Sequence, residues 1–119
     1  MPFPNLFGLP EGTPKEVLRK MRAELITAVA EAMDVSPKIV RPFFVKDLLG
    51  DPDAEQDNTI YCRLDTGMFF DTPDAFEARE KVTRAVAQII WDTFDGEFEV
   101  EVFIGDLDGR GKTLLKPRW

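Results

Sequence analysis

Two Thr-Pro pairs, Thr13-Pro14 and Thr72-Pro73, stand 59 residues apart, and each opens an amphipathic stretch. Proline at the first helical position behind a capping threonine is a helix-start signal, and in the first copy Glu16 completes a T-x-x-E capping box. From there Val17, Leu18, Met21, Leu25, Ala28, Val29, Ala32 and Met33 recur at three- and four-residue steps, the period of one buried helical stripe. Asp34 and Ser36-Pro37 end that helix. The second stretch places Phe76, Val82, Ala85, Val86, Ile89 and Phe94 on one face, and Gly96 supplies the left-handed residue after the helix.

Strand-like runs flank both helices. EFEVEVFI (97–104) alternates strictly between apolar and acidic residues, which predicts one buried and one polar face. IVRPFFVK (39–46) and TIYCRLD (59–65) are rich in β-branched and aromatic residues. In the opening PFPNLF (2–7), Pro2 and Pro4 share parity, so both missing N–H groups fall on one strand edge while Phe3 and Asn5 keep the other bondable. VRPFF (40–44) and VEVFI (100–104) repeat one another at an offset of 60. The expected fold is therefore α+β with two layers: two βαβ units, about 1–47 and 59–106, forming a four-stranded mixed sheet with two helices on one face. A long helix between two strands forces each pair to be parallel. The chain is expected to be a single domain over 1–119 with a tail at 107–119. The uncovered sheet face needs other subunits to bury it.

What the chain lacks narrows its chemistry. With no histidine, imidazole-dependent triads and most zinc and non-haem iron sites are excluded, and no metal or cofactor is expected. A net charge of −7 argues against nucleic acid as a partner. One cysteine, Cys62, cannot form an internal disulfide, which fits a reducing compartment. No signal peptide or membrane span is visible, so cytoplasm is the expected location. GDLDGRGKT (105–113) imitates a phosphate-binding loop. However, five residues separate Gly105 from Gly111 where the motif needs four, and only six residues follow Thr113, too few for the helix it requires.

Two residues carry chemical content. A chain beginning Met-Pro ordinarily loses its Met, leaving Pro2 with a free secondary amine. An α-amino group titrates near ~8, and burial lowers that value, giving a neutral base or nucleophile near neutral pH. The alternative is a proline that only stiffens the terminus. Arg41 lies among apolar neighbours in VRPFFV, where a guanidinium suits a bidentate carboxylate ligand; the alternative is an ion pair at a strand edge.

The initial Met-Pro, the first strand reaching LPEG (9–12), the amphipathic helix and MDVSPKIVRPFFVKD (33–47) resemble the tautomerase superfamily, which includes 4-oxalocrotonate tautomerase (4-OT) and macrophage migration inhibitory factor. The likeness covers most of residues 1–106 and suits a bacterial branch of about this length. It implies a homotrimer whose sheets pack into a central barrel, and an isomerase acting on a small keto/enol carboxylic acid. By position, Pro2 would be the proton shuttle and Arg41 a carboxylate binder. Phe43 and Phe103 would be pocket walls, with Arg63 or Arg110 a further candidate cation. Thr13 stands where short tautomerases carry an arginine, and the repeat partner of Arg41 is Glu101. A non-catalytic trimer binding a small ligand or a protein partner is the competing expectation.

Overall fold

The computed structural model describes residues 2–46, 58–67, 73–107 and 113–118. In chain order these form β1 (Phe3–Phe7), α1 (Lys15–Met33), a 3-10 turn (Pro37–Ile39), β2 (Phe43–Val45), β3 (Thr59–Thr66), α2 (Pro73–Thr93) and β4 (Glu99–Asp106). The sheet order is β2-β1-β3-β4. β1 is parallel to β2 and β3 to β4, and the two βαβ units meet through the antiparallel β1–β3 pair. The two-layer mixed sheet read from the repeat is the observed fold.

Alternation sets the layers. Pro2, Pro4 and Leu6 are buried, as are Ile60, Cys62, Leu64 and Thr66. These meet Met21, Leu25 and Val29 of α1 and Val82, Val86 and Ile90 of α2 in one core. Phe3, Asn5, Phe7, Tyr61, Arg63 and Asp65 lie on the other, open face. A residue's N–H and C=O leave a strand on the same side. The Pro2 carbonyl accepts from the Arg41 N–H at 3.1 Å, so the even-numbered residues of β1 turn their polar groups toward β2 and the odd ones toward β3. Both missing proline donors thus fall on the β2 side, as parity predicts. The β3 side keeps a run of five paired residues.

Three local expectations are corrected. The segment 39–46 is a strand only at Phe43–Val45. In the parallel register, Pro4 occupies the position whose N–H would reach the Arg41 carbonyl, and a proline has none to give. Pro42, with its bondless nitrogen toward the free edge, blunts that edge of the sheet. The capping box does not form: α1 begins at Lys15, Pro14 occupies the cap position, and the Thr13 hydroxyl donates instead to the Pro10 carbonyl at 2.6 Å. Phe76 is 63% exposed rather than buried, and the buried stripe of α2 runs through Val82, Val86 and Ile90. Phe76 stands in the first turn of α2, ahead of that stripe. Both helices end where the sequence predicts, in left-handed residues: Asp34 after α1, and Gly96, with Asp95 before it, after α2. Thr72, most of the linker 47–58 and Trp119 lie outside the described residues.

Cys62 sits at the centre of the core. Burial pushes its thiol up to about 12, and the nearby Asp65 carboxylate adds to the shift. A group whose folded value is raised stabilises the fold fully below its unfolded value, 9.0, and that stability is lost as pH climbs from there toward 12. Native protein at pH 8 is therefore expected to resist iodoacetamide, with stoichiometric labelling after unfolding in guanidinium. Intact mass measures both.

Candidate functional site

Among the described residues, neither of two shallow surface grooves is lined by any of the five sequence candidates, Pro2, Arg41, Phe43, Arg63 and Phe103. Pro2 is fully buried one residue before β1. Because its carbonyl bonds Arg41, its nitrogen leaves the chain on the same side, opposite Ile39 in the parallel register. The Arg41 side chain is exposed and makes no ion pair among the described residues. Strand geometry thus sets a buried imino acid beside the backbone of an exposed guanidinium-bearing residue.

Phe43, Arg63 and Phe103 form a transverse row on the open face. The register pairs Phe43 with Asn5, Asn5 with Arg63, and Arg63 with Phe103. The two rings are 50% and 44% exposed. One step along, Phe3 lies opposite Asp65 and Asp65 opposite Gly105. The same parallel register brings Arg41 opposite Phe3, at the margin of that face. Phe3 and Phe43 are tilted neighbours with ring centroids 6.1 Å apart.

Arg63 is held firmly. Its Nε donates to both Asp65 oxygens, at 2.9 and 3.0 Å, and its guanidinium carbon lies 5.6 Å from the Phe7 ring centroid. Asn5 Nδ2 donates to Asp65 Oδ2 at 2.9 Å, to the Phe3 carbonyl at 3.0 Å and to the Arg63 carbonyl at 3.3 Å. Asn5 and Asp65 escaped the sequence reading. The available signal was a polar residue at an odd position of an aromatic strand, where alternation puts it beside the Arg63–Asp65 pair. At the far end of the sheet face, Arg79 of α2 holds Asp106 through two bonds of 2.9 and 3.2 Å. Two shallow grooves, of ≈310 and ≈360 Å³, lie elsewhere: one at Trp91 and Val100, the other between the start of α1 and the end of α2. Among the described residues no group of His, Cys, Asp or Glu could hold a metal, and no helix is long and apolar enough to cross a membrane.

Solved structures share this fold. No family model and no curated protein matches the chain. A fused 4-OT wild type asymmetric trimer superposes with a TM-score of 0.74 at 14% identity, covering 94% of this chain and 91% of that one. Pt0534 inactivated by 2-oxo-3-pentynoate gives 0.67 at 14% identity over 95% and 88%. A macrophage migration inhibitory factor-like protein from Entamoeba histolytica gives 0.64 at 8% identity over 95% and 92%. The chain has the tautomerase superfamily fold, the class its sequence resembles.

Gly105 provides a direct test of the open-face cluster. A Cβ there runs into Asp65 Oδ1, in a strand where the glycine leaves room for the carboxylate. Gly105→Ala is expected to destabilise by about 2 kcal/mol, the usual cost of overpacking. Adding Asp65→Ala should recover much of that loss. A thermal-denaturation double-mutant cycle reads the coupling.

Proposed function

We propose that the protein is a tautomerase-type isomerase that moves a proton between oxygen and carbon of a small keto/enol carboxylic acid. With Met1 removed, Pro2 is the general acid/base. Its neutral amine takes the enol hydroxyl proton and returns a proton to the adjacent carbon, so that the enol becomes the ketone with no net change in protons. The Arg41 guanidinium binds the substrate carboxylate. Phe43 and Phe103 wall the site, and Arg63, its charge balanced by Asp65, offers its remaining N–H donors to the substrate. The observation that carries this reading is a buried Pro2 whose carbonyl accepts from the backbone N–H of Arg41, an exposed arginine that makes no ion pair among the described residues. Burial disfavours the charged amine and lowers its pKa toward the operating pH, which is what a general base requires.

A homotrimer belongs to the same reading. The open face carries Phe3, Phe7, Phe43, Val45 and Phe103, too much aromatic surface to leave in water. Among the compared structures are fused 4-OT trimers. The second reading, a non-catalytic trimer, is favoured by one observation: neither groove among the described residues reaches Pro2.

Ketonisation of phenylenolpyruvate separates the two. The mature chain, verified by intact mass to lack Met1, is expected to turn the substrate over. Pro2→Ala should lower kcat/KM by about 100-fold or more, the scale of general acid–base catalysis. Arg41→Ala should chiefly raise KM, by about tenfold, the cost of one charge-assisted contact. Activity unchanged by Pro2→Ala, or a retained Met1, contradicts the enzyme reading. Light scattering is expected to give three times the chain mass, and Phe103→Asp should dissociate the assembly.

A further inference from the structure

The residues that follow β4 are unlike the rest of the chain. Residues 108–119 hold four basic residues and one acid, so the remainder is more acidic than the net charge of −7 implies. Residues 113–118 are all exposed. Leu114 and Leu115 are 66% and 88% exposed, the latter the most exposed large hydrophobic residue among the described ones. Lys116 and Arg118 make no ion pair among the described residues. This segment is an arm, apolar and basic at once, that its own body leaves uncovered.

A surface of the opposite character lies where α1 starts and α2 ends. The groove of ≈360 Å³ there is lined by Val17, Phe94 and Phe98, all half-buried. The two rings meet edge to face with centroids 5.7 Å apart. Every charged residue lining the groove is an acid: Glu11, Asp95 and Glu97. All three are exposed, and none makes an ion pair among the described residues. We propose that this groove receives the 113–118 arm of a second copy of the chain. Leu114 and Leu115 pack on Val17, Phe94 and Phe98, and Lys116 and Arg118 meet the three carboxylates. An apolar floor with an acidic rim complements an arm of apolar and basic residues.

The direction of β4 favours a neighbour's arm over the chain's own. β4 starts beside the groove, at Glu99, and the arm departs beyond its other end, at Asp106. Those ends stand ~23 Å apart at the rise of an extended strand. The chain from Asp106 to Leu114 spans about 28 Å at most when fully drawn out. An arm returning to its own groove must therefore run almost straight back along the sheet, whereas a neighbouring copy can present its arm from any side. Pro117 restricts the arm's backbone and so reduces the entropy lost on docking. With one arm and one groove per copy, a closed ring of copies leaves neither unmatched. The contact does not depend on the chemistry at Pro2.

Paramagnetic NMR on the full chain tests this. A copy without ¹⁵N carries a nitroxide on Thr113→Cys and is refolded with an equal amount of unsubstituted ¹⁵N-labelled chain. Cys62 is buried and takes no label, and Thr113 is exposed, so the substitution spares the fold. The Val17, Phe94 and Phe98 amides of the ¹⁵N copy are expected to lose intensity, while Glu77 near the opposite end of α2 keeps its own. Leu114→Asp with Leu115→Asp in the nitroxide copy should abolish that loss, and both side chains are exposed enough to change without unfolding the chain. Glu11→Lys with Glu97→Lys in the ¹⁵N copy should weaken it, and adding Lys116→Glu with Arg118→Glu to the nitroxide copy should restore it. No loss at the groove, or loss centred on other residues, overturns the proposal. Loss seen only when nitroxide and ¹⁵N share one copy places the chain's own arm in the groove and overturns it as well.

Discussion

The structure depends on a central strand that is paired on both sides although it is short of donors. β1 lies between β2 and β3, a position where a proline removes a ladder bond. The strand tolerates Pro2 and Pro4 because both nitrogens fall on the β2 side. The odd residues remain free to bond β3, and the two βαβ units are joined there. Had the prolines stood at odd positions, the donors lost would have come from the junction of the two halves.

The same parity decides what each face does. Even positions of β1 and β3 feed a core shared with both helices, and the odd positions carry aromatic rings and the Asn5–Arg63–Asp65 cluster. Alternation leaves no room for compromise, since a one-residue slip would bury Arg63 and expose Leu64. The cluster also ties β1 to β3 beside β4. Asn5 on β1 bonds Asp65 on β3, and Gly105 on β4 leaves space for that carboxylate. A polar cluster amid aromatic rings whose Asn5 amide nitrogen, Arg63 Nε and Asp65 oxygens are bonded to one another costs far less than unpaired groups would.

Much of this was legible before any coordinates. The repeated Thr-Pro starts and the alternating EFEVEVFI run gave the element order, the parallel pairs and the single-sided helices. Local periodicity encodes those features directly. What escaped depends on contacts far apart in sequence. The shortening of β2 follows from Pro4, 39 residues before Phe43, through a bond that is not made. The role of Asn5 depends on Asp65, 60 residues away. Thr13 satisfies the Pro10 carbonyl instead of capping the helix, a choice that two adjacent turns make together and a motif read alone misses. Of the candidate site, residue types and strand positions were readable. The division between Pro2 with Arg41 at the sheet margin and the Phe43–Arg63–Phe103 row was not, because only the register reveals it.

The account makes Pro2 a buried amine of depressed basicity. A ¹⁵N NMR titration of the mature chain, labelled at proline, measures that nitrogen directly. The account predicts a single titrating proline nitrogen with a pKa below the ~8 of an ordinary α-amino group. A proline nitrogen at position 2 that shows no titration, or one that titrates at or above that value, contradicts it.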